Sequence, residues 1–238
     1  MMLRILSVFF LIAGLSNLVL SQTIDGTTPT RTCATMTQDS INRIRFPERQ
    51  TLDEFEFQIN KKIKEISARN AIGKTKAGIV TIPIIVHVIH NGEPIGSGLN
   101  LSQAQVKSQI DVLNEDFRRK VGTPGFNNNP VGADIEIEFC LSPVDETGKA
   151  MAEPGIDRFN GNKSSWTREE IEGALKSTTI WNPNLFYNIW TLKFGGTSSN
   201  LLGYAQFPDQ SRLGGLNETG GPASTVCCHS IHFIWFCR

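Results

Sequence analysis

The sequence predicts an α/β fold with a mostly parallel sheet, because predicted strands and amphipathic helices alternate from residue 79 onwards. Hydrophobic residues make up 39% and charged residues 19% of the 238 residues, a composition that fills a packed core and excludes a disordered chain. Lys and Arg together number 23, as do Asp and Glu, so no net charge favours nucleic acid or an anionic membrane as partner.

Residues 1–21 are typical of a secretory signal peptide. Arg4 supplies the positive charge, the stretch from Ile5 to Leu20 is apolar, and Val19 and Ser21 are the small residues that a cleavage site requires. A membrane anchor is the alternative, but the uninterrupted apolar run is shorter than the roughly 20 residues that a span needs. We therefore expect a secreted, extracellular protein with no membrane attachment after signal cleavage.

In a secreted protein, sequons can be glycosylated and cysteines can form disulfides. Three Asn-x-Ser/Thr sequons, at Asn100, Asn162 and Asn217, are candidate glycosylation sites. The five cysteines are an odd number in an oxidising compartment, so at least one of them is free, intermolecular or specially employed.

Residues 22–76 are expected to form a propeptide. This segment is polar except for a predicted helix from Leu52 to Ile66, whose apolar residues recur at steps of three and four and so share one face. The small, basic stretch 73–78 spans its C-terminal boundary and suits an exposed linker that a trypsin-like protease would cut.

The first predicted strand and helix follow this linker. Ile79 to His90 is β-branched almost throughout, which is typical of a strand covered on both faces. Ser102 and Gln105 form a capping box, and apolar residues at helical spacing continue to about Arg119. Strict alternation then predicts a half-buried strand over 135–141.

The remaining elements are shorter. Thr167 and Glu170 form a second capping box, which predicts a helix to about Ser177. The stretch 185–194 predicts a third strand, and 201–207 a fourth strand close to an edge.

Few residues offer chemistry by pattern alone. His87 and His90 lie three apart in a strand, so they point to opposite faces and cannot hold one metal together. Glu136 and Glu138 share one face of a predicted strand and could pair for acid–base work, although a solvated face explains them as well. The cluster of cysteines and histidines over 227–237 has no spacing that fits a zinc site.

Four blocks in order resemble the pappalysin-type (cytophagalysin/ulilysin-like) secreted zinc metalloproteases of the metzincin clan. They are Thr81–Lys120, Ala133–Leu141 with Gly155–Arg158, Trp181–Trp190, and Leu202–Pro208. The resemblance implies a metzincin-like N-terminal subdomain over residues 77–225, zinc as cofactor, and a protein or peptide as substrate. The sequence leaves calcium dependence open.

The resemblance also implies a role for one cysteine. The family carries an N-terminal Arg-x-Cys-Gly-Thr element whose thiolate occupies the zinc of the latent enzyme, and Arg31 to Thr35 is similar, with Ala34 in place of glycine. Cys33 is therefore a candidate latent-state zinc ligand, because thiolate binds zinc strongly. A structural disulfide is the alternative, and alanine, which disfavours positive φ, would alter the turn.

The family's catalytic motif, H-E-x-x-H-x-x-G-x-x-H, is absent from these 238 residues. We accordingly assign no catalytic residue and no zinc ligand of the active site, and we expect this chain to bind no zinc tightly and to be inactive. Residues 226–238 also depart from the family pattern. From Cys227 onward, codons read one base later permit a family-like Val-Val-Ile with a later Phe-Gly, so we expect a frameshift, a mis-joined exon or a pseudogene. An authentic alternative C-terminus is the alternative.

Two function classes follow. The first is the N-terminal portion of a secreted zinc-dependent metalloendopeptidase, which hydrolyses peptide bonds with zinc-bound water. The second is a non-catalytic secreted binding or decoy protein, with a small-ligand-binding domain as a weaker variant. We expect the missing zinc helix to leave the face of Ile84, Val86 and Val88 uncovered, which would make a stable binding protein difficult.

Overall fold

The computed structural model of the protein describes residues 32–45, 47, 51–72, 78–205 and 225–229. The signal peptide, Asn217, most of the 73–78 linker and residues 230–238 lie outside the described residues. The longer helices are α1 (Thr35–Arg45), α2 (Leu52–Ile72) and α3 (Gln103–Phe117), and a second helical stretch comprises α4 (Arg168–Glu170), a π-helix (Ile171–Leu175) and α5 (Lys176–Thr179). Within these ranges, no helix combines the length and apolarity that a membrane span needs.

The described strands form one twisted sheet in the order β1-β6-β7-β5-β2-β3, and β4 also pairs with β2. Among these strands, every pairing is parallel except that of β6 with β7. The predicted mostly parallel α/β fold is therefore confirmed. The strands are β1 (Thr32–Cys33), β2 (Val80–His90), β3 (Ile137–Leu141), β4 (Ile156–Asn160), β5 (Tyr187–Leu192), β6 (Leu201–Ala205) and β7 (Thr225–His229).

Strand β2 is the centre of the fold, as its run of β-branched residues predicts. It pairs with β5 on one side, and with β3 and then β4 end to end on the other. Residues 84–89 of β2 are all buried. A short 3₁₀-helix (Gly196–Ser198) leads from β5 into β6.

The expectation that Ile84, Val86 and Val88 would lie uncovered is wrong. Their side chains are at most 3% exposed, and they pack with Val106 and Ile110 of α3. The amphipathic helix that the sequence itself predicts is enough to cover this face of β2. The apolar area that a missing helix was expected to leave wet is thus already buried at this strand.

The opposite face of the sheet is also packed. Ile89 of β2 and Trp190 of β5 lie in a second core cluster with Ile171 and Leu175 of the π-helix. All four side chains are 2% exposed or less. The described sheet is therefore the middle layer of a three-layer arrangement around β2 and β5.

Both predicted capping boxes are present. Ser102 and Gln105 satisfy each other's backbone N–H groups at the start of α3, and Thr167 and Glu170 do the same at α4. The strand predicted over 135–141 is shorter than expected, spanning 137–141, because Glu136 has φ +53° and interrupts the extended backbone just before it.

Candidate functional site

The Cys33 segment lies along the edge strand β6. Strand β1 runs parallel to β6, with Cys33 opposite Gly203. The backbone N–H of Ala34 donates to the carbonyl of Gly203 at 2.9 Å, and the N–H of Ala205 donates to the Thr35 hydroxyl at 3.1 Å. A short piece of the region predicted as propeptide thus adds backbone hydrogen bonds to this edge of the sheet.

The thiol of Cys33 is exposed and forms no disulfide; the Sγ atom lies 3.3 Å from the Thr35 hydroxyl oxygen. Ala34, which stands where the family has glycine, does not have a positive φ. Its side chain is 3% exposed and packs in the cluster that contains Trp190 and Tyr204. The alanine is therefore accommodated without the left-handed turn, and it anchors the segment against the sheet.

The two strand histidines point to opposite faces, as predicted. His87 is fully buried, and His90 is half-buried and accepts a hydrogen bond from the Gly92 N–H at 3.1 Å through Nδ1. His87 Nδ1 lies 2.8 Å from Asp157 Oδ2 on β4, and its Nε2 lies 2.8 Å from Asn188 Oδ1 on β5. One histidine is thus in the core and the other near the surface.

Glu136 and Glu138 do not form an acid–base pair. Glu136 precedes β3 with its left-handed backbone, whereas Glu138 forms an ion pair with Arg118 at the end of α3. Arg118 also binds Asp134, and this interaction holds the pKa of the Asp134 carboxyl below its ordinary value. These carboxylates fasten α3 to the start of β3, and they point to a structural role.

No group of three or more His, Cys, Asp or Glu side chains is close enough to hold a metal within the described ranges. Cys33, the candidate ligand, therefore has no such group around it among the described residues, and it supplies one ligand at most. In the tail cluster, residues 227–229 contribute the backbone of β7, and His232 and Cys237 lie outside the described residues.

The two described sequons differ in the solvent exposure of their asparagines. Asn100 is 4% exposed, its Nδ2 donates to the Glu93 carbonyl at 2.8 Å, and its Oδ1 accepts from Arg158 at 2.7 Å. A glycan on this nitrogen has no room in the folded chain, because the residue is almost completely buried. Asn162 is exposed, with the left-handed φ of +49° that asparagine tolerates in loops.

Sequence reasoning missed a polar cluster beneath the sheet. Lys176 is fully buried and pairs with Glu172, whose Oε1 also accepts from the Tyr204 hydroxyl at 2.7 Å. The Lys176 ammonium lies 4.8 Å from the centre of the Tyr204 ring and 5.8 Å from that of Trp190. In the sequence, the pair is visible only as a lysine four residues after a glutamate. That spacing is common on exposed helices, so it does not predict that the pair is buried.

No protein-family model and no curated protein matches the chain. Solved structures of mirolysin, a pappalysin-type protease, match it. A mutant of promirolysin from Tannerella forsythia is 27% identical with a TM-score of 0.52, over 83% of this chain and 59% of that one. Mirolysin in complex with compound 9 is 32% identical, and mature mirolysin from Tannerella forsythia with a cleaved peptide is 31% identical. Both have a TM-score of 0.48 and cover 64% of this chain and 53% of theirs.

The chain therefore spans a little over half the length of the mirolysin structures that it matches. The likeness to promirolysin supports the fold and a metalloprotease-like N-terminal region. The match covers more residues than follow Gly78, so it extends into the segment that contains β1, α1 and α2.

Proposed function

We propose that the chain is the N-terminal portion of a secreted, zinc-dependent metalloendopeptidase of the pappalysin type. The observation that carries this proposal is the likeness to promirolysin, which includes the segment before β2. The four sequence blocks support it. The first contains most of β2 and all of α3, the second β3 and part of β4, the third most of β5, and the fourth most of β6, and these strands belong to one sheet. The reaction is hydrolysis of a peptide bond in a protein or peptide substrate.

Zinc in such an enzyme polarises the attacking water and the scissile carbonyl. The described residues do not provide a set of ligands for it, so no catalytic step is assigned to them. Their part in the proposed enzyme is to build the sheet and to hold the propeptide on it.

We assign residues 22–76 as the propeptide that keeps the enzyme latent. The supporting geometry is β1 on the edge of β6, with the Cys33 thiol exposed beside Thr35. An exposed thiolate binds zinc strongly and displaces the water that the metal would activate. Cys33 is the latent-state ligand in this proposal, and cleavage in the basic linker at 73–78 releases it.

The first test uses the 238-residue chain itself. We expect no stoichiometric zinc by metal analysis and no peptide cleavage that a chelator abolishes, because H-E-x-x-H is absent from these residues. About one zinc per chain together with chelator-sensitive cleavage would refute this expectation.

The second test uses a longer product that carries the catalytic motif. In that product, Cys33→Ser should raise peptide cleavage before propeptide removal and leave cleavage after removal unchanged. Cys140→Ser is the matched control, because Cys140 is the other described cysteine that is exposed and free. Equal latency in the Cys33→Ser variant and the parent would refute the role of Cys33.

A non-catalytic secreted binding protein is the second candidate. The observation that favours it is the burial of residues 84–89 of β2 by described residues on both faces of the sheet, which gives the sheet a core without a zinc helix. A sharp two-state unfolding transition of the purified 238-residue monomer would support this candidate. An aggregated or proteolysed chain would count against it.

A further inference from the structure

Three separate blocks of the sequence meet at the side chain of His87. The histidine lies in the middle of β2, Asp157 follows from β4, and Asn188 comes from β5. His87 pairs in register with Asp157, whereas Asn188 stands opposite Ile85, two residues before the histidine on the same face of β2. The His87 ring is fully buried, so its hydrogen bonds decide its protonation state.

The amide of Asn188 has a fixed orientation. Its Nδ2 donates to the carbonyls of Trp181 at 3.0 Å and Phe186 at 3.1 Å, and its Oδ1 accepts from the Trp181 N–H at 2.9 Å. Rotating the amide by half a turn would break all three bonds. Oδ1 therefore faces His87, and Nε2 of the histidine must be a donor.

The other ring nitrogen faces a carboxylate. Nδ1 lies 2.8 Å from Oδ2 of Asp157, whose side chain is 31% exposed. An ionised carboxylate only accepts hydrogen bonds, so this nitrogen is a donor as well. Both nitrogens of an imidazole carry protons only in the imidazolium form.

We propose that His87 is an imidazolium in the folded protein, and that its extra proton makes the joint between β4, β2 and β5 sensitive to pH. The proton completes the row Asp157–His87–Asn188 and, through Asn188, fixes the backbone of the 181–186 loop. A neutral imidazole has one N–H, so at high pH one of its nitrogens faces an acceptor oxygen without a proton between them. Two acceptors then face each other without a hydrogen bond, which lowers the stability of the fold.

The surrounding charges are compatible with a buried imidazolium. Asp157 on β4 neutralises it directly, and the Trp190 ring from β5 stacks on it at 4.7 Å, where an aromatic face favours a cation. From the helical stretch 168–179, the Lys176 ammonium lies 5.8 Å from the centre of the same indole, and Lys176 forms an ion pair with Glu172. That second pair is internally neutral, and the Tyr204 hydroxyl from β6 donates to it.

The proposal can be tested on the unmodified chain by nitrogen NMR of the imidazole rings. We expect both ring nitrogens of His87 to carry protons at neutral pH, because both face acceptor oxygens. His90 is the internal comparison, because its Nδ1 accepts a hydrogen bond from the Gly92 N–H. A single protonated nitrogen on His87 at neutral pH would overturn the proposal.

The variant Asp157→Asn gives a second test that does not require loss of folding. An asparagine amide can donate to Nδ1 of a neutral His87 while Nε2 still donates to Asn188, so the variant has no need of the extra proton. Its melting temperature should change less between about pH 6 and about pH 9 than that of the parent. Parallel pH profiles for the two proteins would overturn the proposal.

His87→Gln measures how much the joint contributes. Removing one partner of a buried ion pair is expected to lower the melting temperature by roughly 6–20 °C at neutral pH. His90→Gln is the matched control and should change it little. If the His87 variant fails to fold, the NMR measurement and the Asp157→Asn profile still decide the matter.

Discussion

Asn114 closes the outer edge of strand β3, and replacing it tests how the fold protects that edge. Its Nδ2 donates to the Phe139 carbonyl at 2.9 Å, and its Oδ1 accepts from the Phe139 N–H at 2.7 Å. The side chain thus makes the two bonds that a neighbouring strand would make. Because β3 ends the order of described strands, nothing else in that order pairs with these groups.

The variant Asn114→Ala removes both bonds at a half-buried position. With about 1 kcal/mol net for each hydrogen bond, the free energy of unfolding should fall by about 2 kcal/mol. Asn114→Asp keeps the acceptor for the Phe139 N–H but loses the donor, so its loss should be about 1 kcal/mol or more. Equilibrium urea unfolding followed by circular dichroism measures these differences.

Ser108→Ala on the exposed side of the same helix is the matched control, with an expected change within about 0.5 kcal/mol. Light scattering should show more self-association for Asn114→Ala than for this control, because the freed backbone groups offer an edge for pairing. A loss below about 0.5 kcal/mol for Asn114→Ala would refute the reasoning.

Two further predictions concern the core and one ion pair. Ile84→Ala should lower the free energy of unfolding by about 2–5 kcal/mol, because Ile84 is fully buried. Ile79→Ala is the control, and because Ile79 is 50% exposed it should change this free energy by no more than about 0.5 kcal/mol. Equal losses in the two variants would contradict the packing described for β2. Two hydrogen bonds from Arg158 hold the pKa of Glu153 below its ordinary value. The ionised carboxylate therefore stabilises the fold at pH values above its ordinary pKa, and this stabilisation is lost as the pH falls through the lowered pKa. Acid unfolding of Glu153→Gln should therefore show a smaller loss of stability below about pH 4, and a loss equal to the parent's would contradict the assignment.

The parts of the fold that follow local rules could be predicted from the sequence. The capping boxes at Ser102 and Thr167 depend on residues three apart, and both are present. The β-branched run of β2 predicts a strand covered on both faces, and residues 84–89 of it are covered, whereas its first residues are exposed. The expectation about the face of Ile84 is wrong because helical periodicity marks α3 as amphipathic but does not say which face of the sheet the helix covers.

The His87 joint could not be predicted in the same way. Asp157 and Asn188 lie 70 and 101 residues from the histidine along the chain, and only the order of the parallel strands brings them together. The burial of Lys176 was missed for a related reason. It depends on a π-helical turn that shifts the side chains after Ile171, and no local pattern in the sequence marks such a turn.

The most direct test of the central claim is to sequence the transcript and the genomic DNA across the codons for Thr225 to Arg238. Our account predicts a reading frame, one base later, that continues into Phe-Gly and then into H-E-x-x-H-x-x-G-x-x-H. Confirmation of the frame that encodes Cys227 to Arg238, with no such motif following it, would contradict the assignment of this chain to a zinc metalloendopeptidase.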